Sequence, residues 1–166
     1  MAETVDGAHG LLTDWRRRTR EAQWAHYAAE HRLQRSHFAI GIPLVLLTSF
    51  SGTSVFATLS TDTGTVFRSI VGLTAIAAAI LGGLQTFLRV PDRAAAHRAA
   101  AGRYGSVRRA IEQELAMNPT TITPDLVTAI RVQLAELAEQ SPPIPSRVWT
   151  RTERRLAQRR TQLEPV

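Results

Sequence analysis

The side chains able to carry acid–base or ligand chemistry are few in this chain. Its five histidines are His9, His26, His31, His37 and His97, and it has no cysteine. A helical metal site of the HExxH kind needs two imidazoles one turn apart with a carboxylate beside them. His26 and His31 are five residues apart and fall on different faces. No carboxylate stands at a helical offset that would complete a site. The absence of cysteine excludes disulfides, thiolate metal sites and thiol nucleophiles. A phosphate-cradling loop needs glycines clustered ahead of a helix, whereas Gly82 and Gly83 lie inside an uncharged apolar run. A lone His97 on an apolar seam reads as a packed, hydrogen-bonded residue. No catalytic residue, cofactor or metal is therefore expected, and the chain is not read as an enzyme.

A second group of polar residues is more suggestive. Thr48, Ser49, Ser51, Gly52, Thr53 and Ser54 give one apolar stretch a hydroxyl-rich middle. Such hydroxyls can bond back to their own helix, with small residues promoting helix contact. They can equally line a water-filled passage. Ser49, Thr53 and Ala57 share one helical face and are the candidate pore lining. Ala75, Ala79 and Gly83 share another, with Gly82 beside it, and are the candidate helix-packing face. Two helices cannot enclose a channel, so a pore requires a homo-oligomer. Arg35 and Arg89, at the ends of the apolar stretches, would ring its mouth. No ionisable residue lies deep in either stretch, which argues against a proton relay or a voltage sensor.

The elements that would position these residues follow from two uncharged runs, residues 38–61 and 69–88. A helix needs about 20 apolar residues to cross a hydrocarbon layer about 30 Å thick, and each run is long enough. The competing reading is a pair of buried helices in a soluble bundle, for which a chain of 166 residues leaves little to wrap them. The connection over residues 60–68 is too short for a domain, so the two spans must be antiparallel neighbours. All 20 basic residues are arginine, and Arg68 is the only one between residues 36 and 88. Arg32 and Arg35 precede the first span. Arg89, Arg93, Arg98 and Arg103 follow the second. By the positive-inside rule both termini are cytosolic and the hairpin tip is external. The net charge of +6 is thus accounted for by orientation in a membrane, and no nucleic-acid partner is expected. Residues 1–14 lack the apolar run of a signal peptide.

Outside the spans the pattern is helical. Trp15, Ala22 and Ala29 recur every seven residues, as do His26, Leu33 and Ile40, in a stripe leading into the first span. Pro43 should bend that helix rather than end it. Downstream, Val90, Ala94, His97, Ala101, Tyr104, Arg108, Ile111 and Leu115 alternate steps of four and three, a coiled-coil rhythm. Pro91 is tolerable at a junction there. Asn118 and Pro119 should stop this helix, and Thr123-Pro124-Asp125 should open the next. The link at residues 141–145 should be rigid and extended. A last helix from Arg147 to about residue 160 should either lie on anionic headgroups or be a solvated tail. The expected architecture is an all-α membrane protein, a two-transmembrane helical hairpin with cytosolic helical extensions. Its stretches are residues 1–37, an N-terminal helix continuing into the membrane; 38–89, the hairpin, with spans at about 38–59 and 69–88; 90–140, a helical stalk; and 141–166, the proline link and arginine-rich helix.

This organisation resembles the SLATT domains, two-transmembrane modules with cytosolic helices found in bacterial conflict systems. The resemblance is carried by Trp24, His26-Tyr27, His31 and Gly41-Ile42-Pro43, then by Leu84-Gln85-Thr86-Phe87. It continues through Ala94, His97-Arg98, Ala101, Arg103-Tyr104, Arg108-Arg109 and Glu112, and the proline link, covering about residues 12–160. It implies an effector of the bacterial inner membrane that forms a pore or disturbs the bilayer. Such an effector would answer a nucleotide-linked signal or a sensor protein of the same system. No further enzymatic or nucleotide-sensing domain is expected in this chain, a departure from any fused architecture. A structural or adaptor protein, whose hairpin only anchors cytosolic interaction helices, is the other reading of the same elements.

Overall fold

A computed structural model of the chain describes residues 2–60, 64–117 and 122–163, with side chains for 7–54, 64–117 and 122–158. The fold is all-α. Its helices are α1 (Ala2–Ser60), α2 (Thr65–Leu88), α3 (Val90–Met117), α4 (Pro124–Gln140) and α5 (Ser146–Leu163). They form two compact units, Met1–His31 with Ala94–Val166, and Arg32–Arg93. The stretches flanking the hairpin thus belong to one body.

That larger unit is a bundle of four helical segments. Leu12 of α1, Ile111 of α3, Ile130 of α4 and Ile122, just ahead of α4, form its core, with Trp15, Val107, Leu115, Leu126, Val127 and Leu134 packed around it. Leu12 and Ile111 are fully buried, each contributing about 1.5–3 kcal/mol by its removal from water. This burial holds down the first turns of α1, which begins at Ala2. Gly7 and Gly10 disfavour helix by about 1 kcal/mol each, and the docking of Ala8 and Leu12 offsets them. Ion pairs from Asp14 to Arg17 (2.6 Å) and Arg18 (2.7 Å), and from Arg17 to Glu21 (3.1 Å), follow helical spacing and support the same turns.

Helix boundaries follow local chemistry. The Thr123 hydroxyl accepts from the Leu126 amide at 3.3 Å, with Pro124 in the first turn. Residues 118–121, where Asn118 and Pro119 should stop α3, lie outside the described residues, as does the hairpin tip at 61–63. Between α2 and α3 the chain breaks at Arg89, whose φ of 44° and ψ of 42° are left-handed. A non-glycine residue there costs about 1–2 kcal/mol. Pro91 favours a break here, because its missing N–H and the clash of its ring with the carbonyl four residues back disfavour a helix running on through it. Pro43, by contrast, lies inside α1, which continues through it.

The smaller unit is the hairpin. On α1 the less exposed positions are 33, 34, 37, 40, 41, 44, 47, 51 and 54; on α2 they are 67, 71, 74, 77, 78, 81, 82, 85 and 88. Both sets recur at helical spacing, one stripe per helix. Gln85 reaches His37 at 3.5 Å, a Cβ at Gly41 would stand 3.7 Å from Gln85, and one at Gly82 would stand 3.9 Å from Leu44. Rising numbers on α1 meet falling numbers on α2, so the helices are antiparallel.

Candidate functional site

The hairpin carries the hydroxyls and small residues singled out by their spacing. Ser49 and Thr53 are exposed, turned away from the stripe that faces α2. Thr53 donates to the carbonyls of Ser49 and Phe50, both at 3.0 Å, and Thr48 donates to Leu44 at 2.9 Å. Their hydroxyls are thus satisfied within α1, an arrangement that needs no water. The side chain of Ala57, the third candidate lining residue, lies outside the described residues. Ser51 and Ser54 instead fall on the stripe facing α2. Ser54 is buried, and the Ser51 hydroxyl is buried with no hydrogen-bond partner among the described residues.

The small residues of α2 divide between two faces. Ala75, Ala79 and Gly83 are exposed together on the outer side of the hairpin, whereas Gly82 is half-buried against Leu44. A Cβ at Gly83 would meet nothing within 4 Å. Ala78, which the spacing did not single out, is the buried residue of this helix. Arg35 and Arg89 are both exposed, and the Arg89 Nε stands 3.2 Å from an Asp92 carboxylate oxygen. Asp92 therefore balances part of the positive charge assigned to a mouth.

The surface around these groups is strongly apolar. Twelve large side chains of the hairpin are exposed, among them Leu46 at 65%, Leu73 at 68% and Phe87 at 83%. Both long helices are apolar enough to cross a membrane, and 0% and 6% of their most apolar windows are buried within the chain. A full burial of such a side chain is worth about 1.5–3 kcal/mol. Twelve of them left largely in water would forgo on the order of 15 kcal/mol, as much as the whole stability of an ordinary domain.

In the larger unit the seam of α3 is covered by the chain's own helices. Ala94, His97, Ala101 and Ile111 are buried, and Tyr104 and Leu115 are half-buried. The cover over Ile111 comes from α1 and α4. The cover over His97 is His26 of α1, whose Nδ1 lies 3.0 Å from the His97 Nδ1. The Tyr104 ring stacks on His26 with centroids 5.5 Å apart and planes 20° from parallel. One turn on along α1, the buried Glu30 carboxylate lies 3.8 Å from Arg98. Burial, then the neighbouring His97, hold the His26 pKa down to about 4 from an ordinary 6.5. A neutral pair at this distance makes one N–H···N bond, so the two rings take opposite tautomers. Protonating both would set two N–H donors and two charges face to face. The pair was missed in the sequence reading, where His26 and His97 stood on two separate stripes. That each stripe carried one histidine was the available signal.

Among the described residues no group of three or more His, Asp or Glu side chains is placed to hold a metal ion. No family model, curated protein or solved structure matches the chain.

Proposed function

We propose that the chain is an integral membrane protein of the bacterial inner membrane, with α1 and α2 crossing the bilayer twice and both termini cytosolic. The observation that carries this reading is the outward exposure of the twelve large apolar side chains on the hairpin. Hydrocarbon removes their cost, and the 24 residues of α2 span about 36 Å at the rise of an α-helix, enough for a core of about 30 Å. The arginine distribution supports the orientation. Further support comes from the resemblance to SLATT domains, which we extend to the function. The chain is an oligomeric pore-forming or membrane-disrupting effector of a conflict system, switched on by a nucleotide-linked signal or a partner protein.

An oligomer would rest on small residues, because lipid supplies no hydrophobic force between helices. Ala75, Ala79 and Gly83 form the outward face suited to it, leaving Ser49 and Thr53 to turn toward a lumen. The second reading, an anchored adaptor, is favoured by one observation: the Thr48 and Thr53 hydroxyls are closed onto their own helix. Ion flux from liposomes holding the purified protein separates the two. Flux from confirmed oligomers supports the pore. Tight vesicles, with the signal or partner protein present, leave the anchored adaptor as the better account.

A further inference from the structure

Helix α5 is the most densely charged element of the chain, with six arginines and one glutamate in 18 residues. Its Val148 and Thr152 are buried and Leu156 is half-buried, so one side of the helix is spent on packing within its own unit. Arg147, Arg151 and Arg154, at steps of four and three, fall on one other face. With the hydroxyl residues Ser146 and Thr150 they line an open trough of about 400 Å³. None of the three arginines has a carboxylate partner among the described residues. Next to this face, Arg155 joins Arg20 and Trp24 of α1 around a recess of about 110 Å³, with Trp24 45% exposed. Four arginines of one helix thus stand close together, against the single carboxylate of Glu153. Such a cluster sets up a positive potential along one face that favours an anionic partner and is screened by salt.

We propose that this face docks on anionic phospholipid headgroups. The inference rests on the reading of the hairpin as membrane-spanning, which brings the chain to a bilayer. A phosphate-bearing surface matches three guanidinium groups set along a helix. Because the apolar side of α5 is already covered, attachment is electrostatic and not by insertion. It therefore weakens with salt over the range in which the Debye length contracts.

The absence of cysteine from the chain allows one reporter at a time. A fluorophore on Gln158→Cys, on the arginine face, is read against one on Val132→Cys, exposed on α4. The full chain is placed in nanodiscs of phosphatidylcholine carrying a headgroup spin-labelled quencher, with or without phosphatidylglycerol at about a third of the lipid. The expected result is quenching at position 158 that rises several-fold with phosphatidylglycerol and is abolished by about 0.5 M NaCl. It should also be abolished in the triple variant Arg147→Gln/Arg151→Gln/Arg154→Gln, with position 132 unmoved. Equal quenching in both lipids overturns the proposal. So does a response to inorganic phosphate or a DNA duplex in phosphatidylcholine discs without one to phosphatidylglycerol, which would assign the face to soluble anions or to nucleic acid. Chain that elutes without lipid refutes the hairpin reading itself, and the docking with it, before any quenching is measured.

Discussion

His26 and His97, 71 residues apart in the chain, meet at 3.0 Å between their Nδ1 atoms. Both are buried, and the contact ties α1 to α3 through a single N–H···N bond. The groups facing it are Tyr104 on α3 and, one turn along α1, Glu30 with its partner Arg98. The arrangement tolerates the neutral rings, and burial with the neighbouring His97 opposes protonation of His26.

A dependence of stability on pH follows. As pH falls the unfolded chain takes a proton on His26 near 6.5, the folded chain only near 4. Between those values the unfolded state binds more protons at His26, so the His26 contribution to stability is full above about 6.5 and is lost as the pH falls toward 4. Between pH 7.5 and 5 the loss should be about 2 kcal/mol. Denaturant titration of the detergent-solubilised protein measures it. His26→Gln should flatten this limb, and a variant with the parental slope would show that the pair does not govern it.

Two substitutions on α3 should move stability in opposite directions. Ile111, fully buried against Leu12 and Ile130, should lose about 2–5 kcal/mol on replacement by alanine. At Gly102, in the interior of the same helix, a Cβ would meet nothing within 4 Å. Gly102→Ala should gain up to about 1 kcal/mol. Circular dichroism during denaturation reads both. A neutral Ile111→Ala would mean that the seam is not packed as described.

Topology is open to a direct test. Reporters fused before Met1 and after Val166 should register as cytosolic, and a tag within residues 62–64 as external. Either terminus found outside would refute the orientation drawn from Arg32, Arg35, Arg89 and Arg93.

Pore lining is tested at the exposed hydroxyl face of α1. Ser49→Ile together with Thr53→Ile should abolish conductance and toxicity while insertion and oligomer size stay unchanged. Arg35→Glu should shift selectivity toward cations. Conductance surviving the double substitution would remove this face from the lumen.

The sequence alone determined the helices, because each is written in local chemistry. Two uncharged runs, the alternation of fours and threes from Val90 to Leu115, the cap at Thr123 and the break before Pro91 all act within a few residues of themselves. The stripe Ala94, His97, Ala101, Ile111 was legible as a buried face for the same reason, since helical spacing fixes which residues share a side. Which residues of the other helices it meets was not legible. Cover by α1 and α4 depends on how separate helices dock, and docking is set by side-chain shape, for α1 across more than 70 residues of chain. The burial of Leu12 against Ile111, which holds down the first turns of α1, is of the same kind, and no local pattern records that contact. The tertiary structure likewise decided which hydroxyls face α2, putting Ser51 and Ser54 inward and Ser49 and Thr53 outward. It alone brought His26 to His97, because only the register of two packed helices determines which residue of one stripe meets which residue of the other.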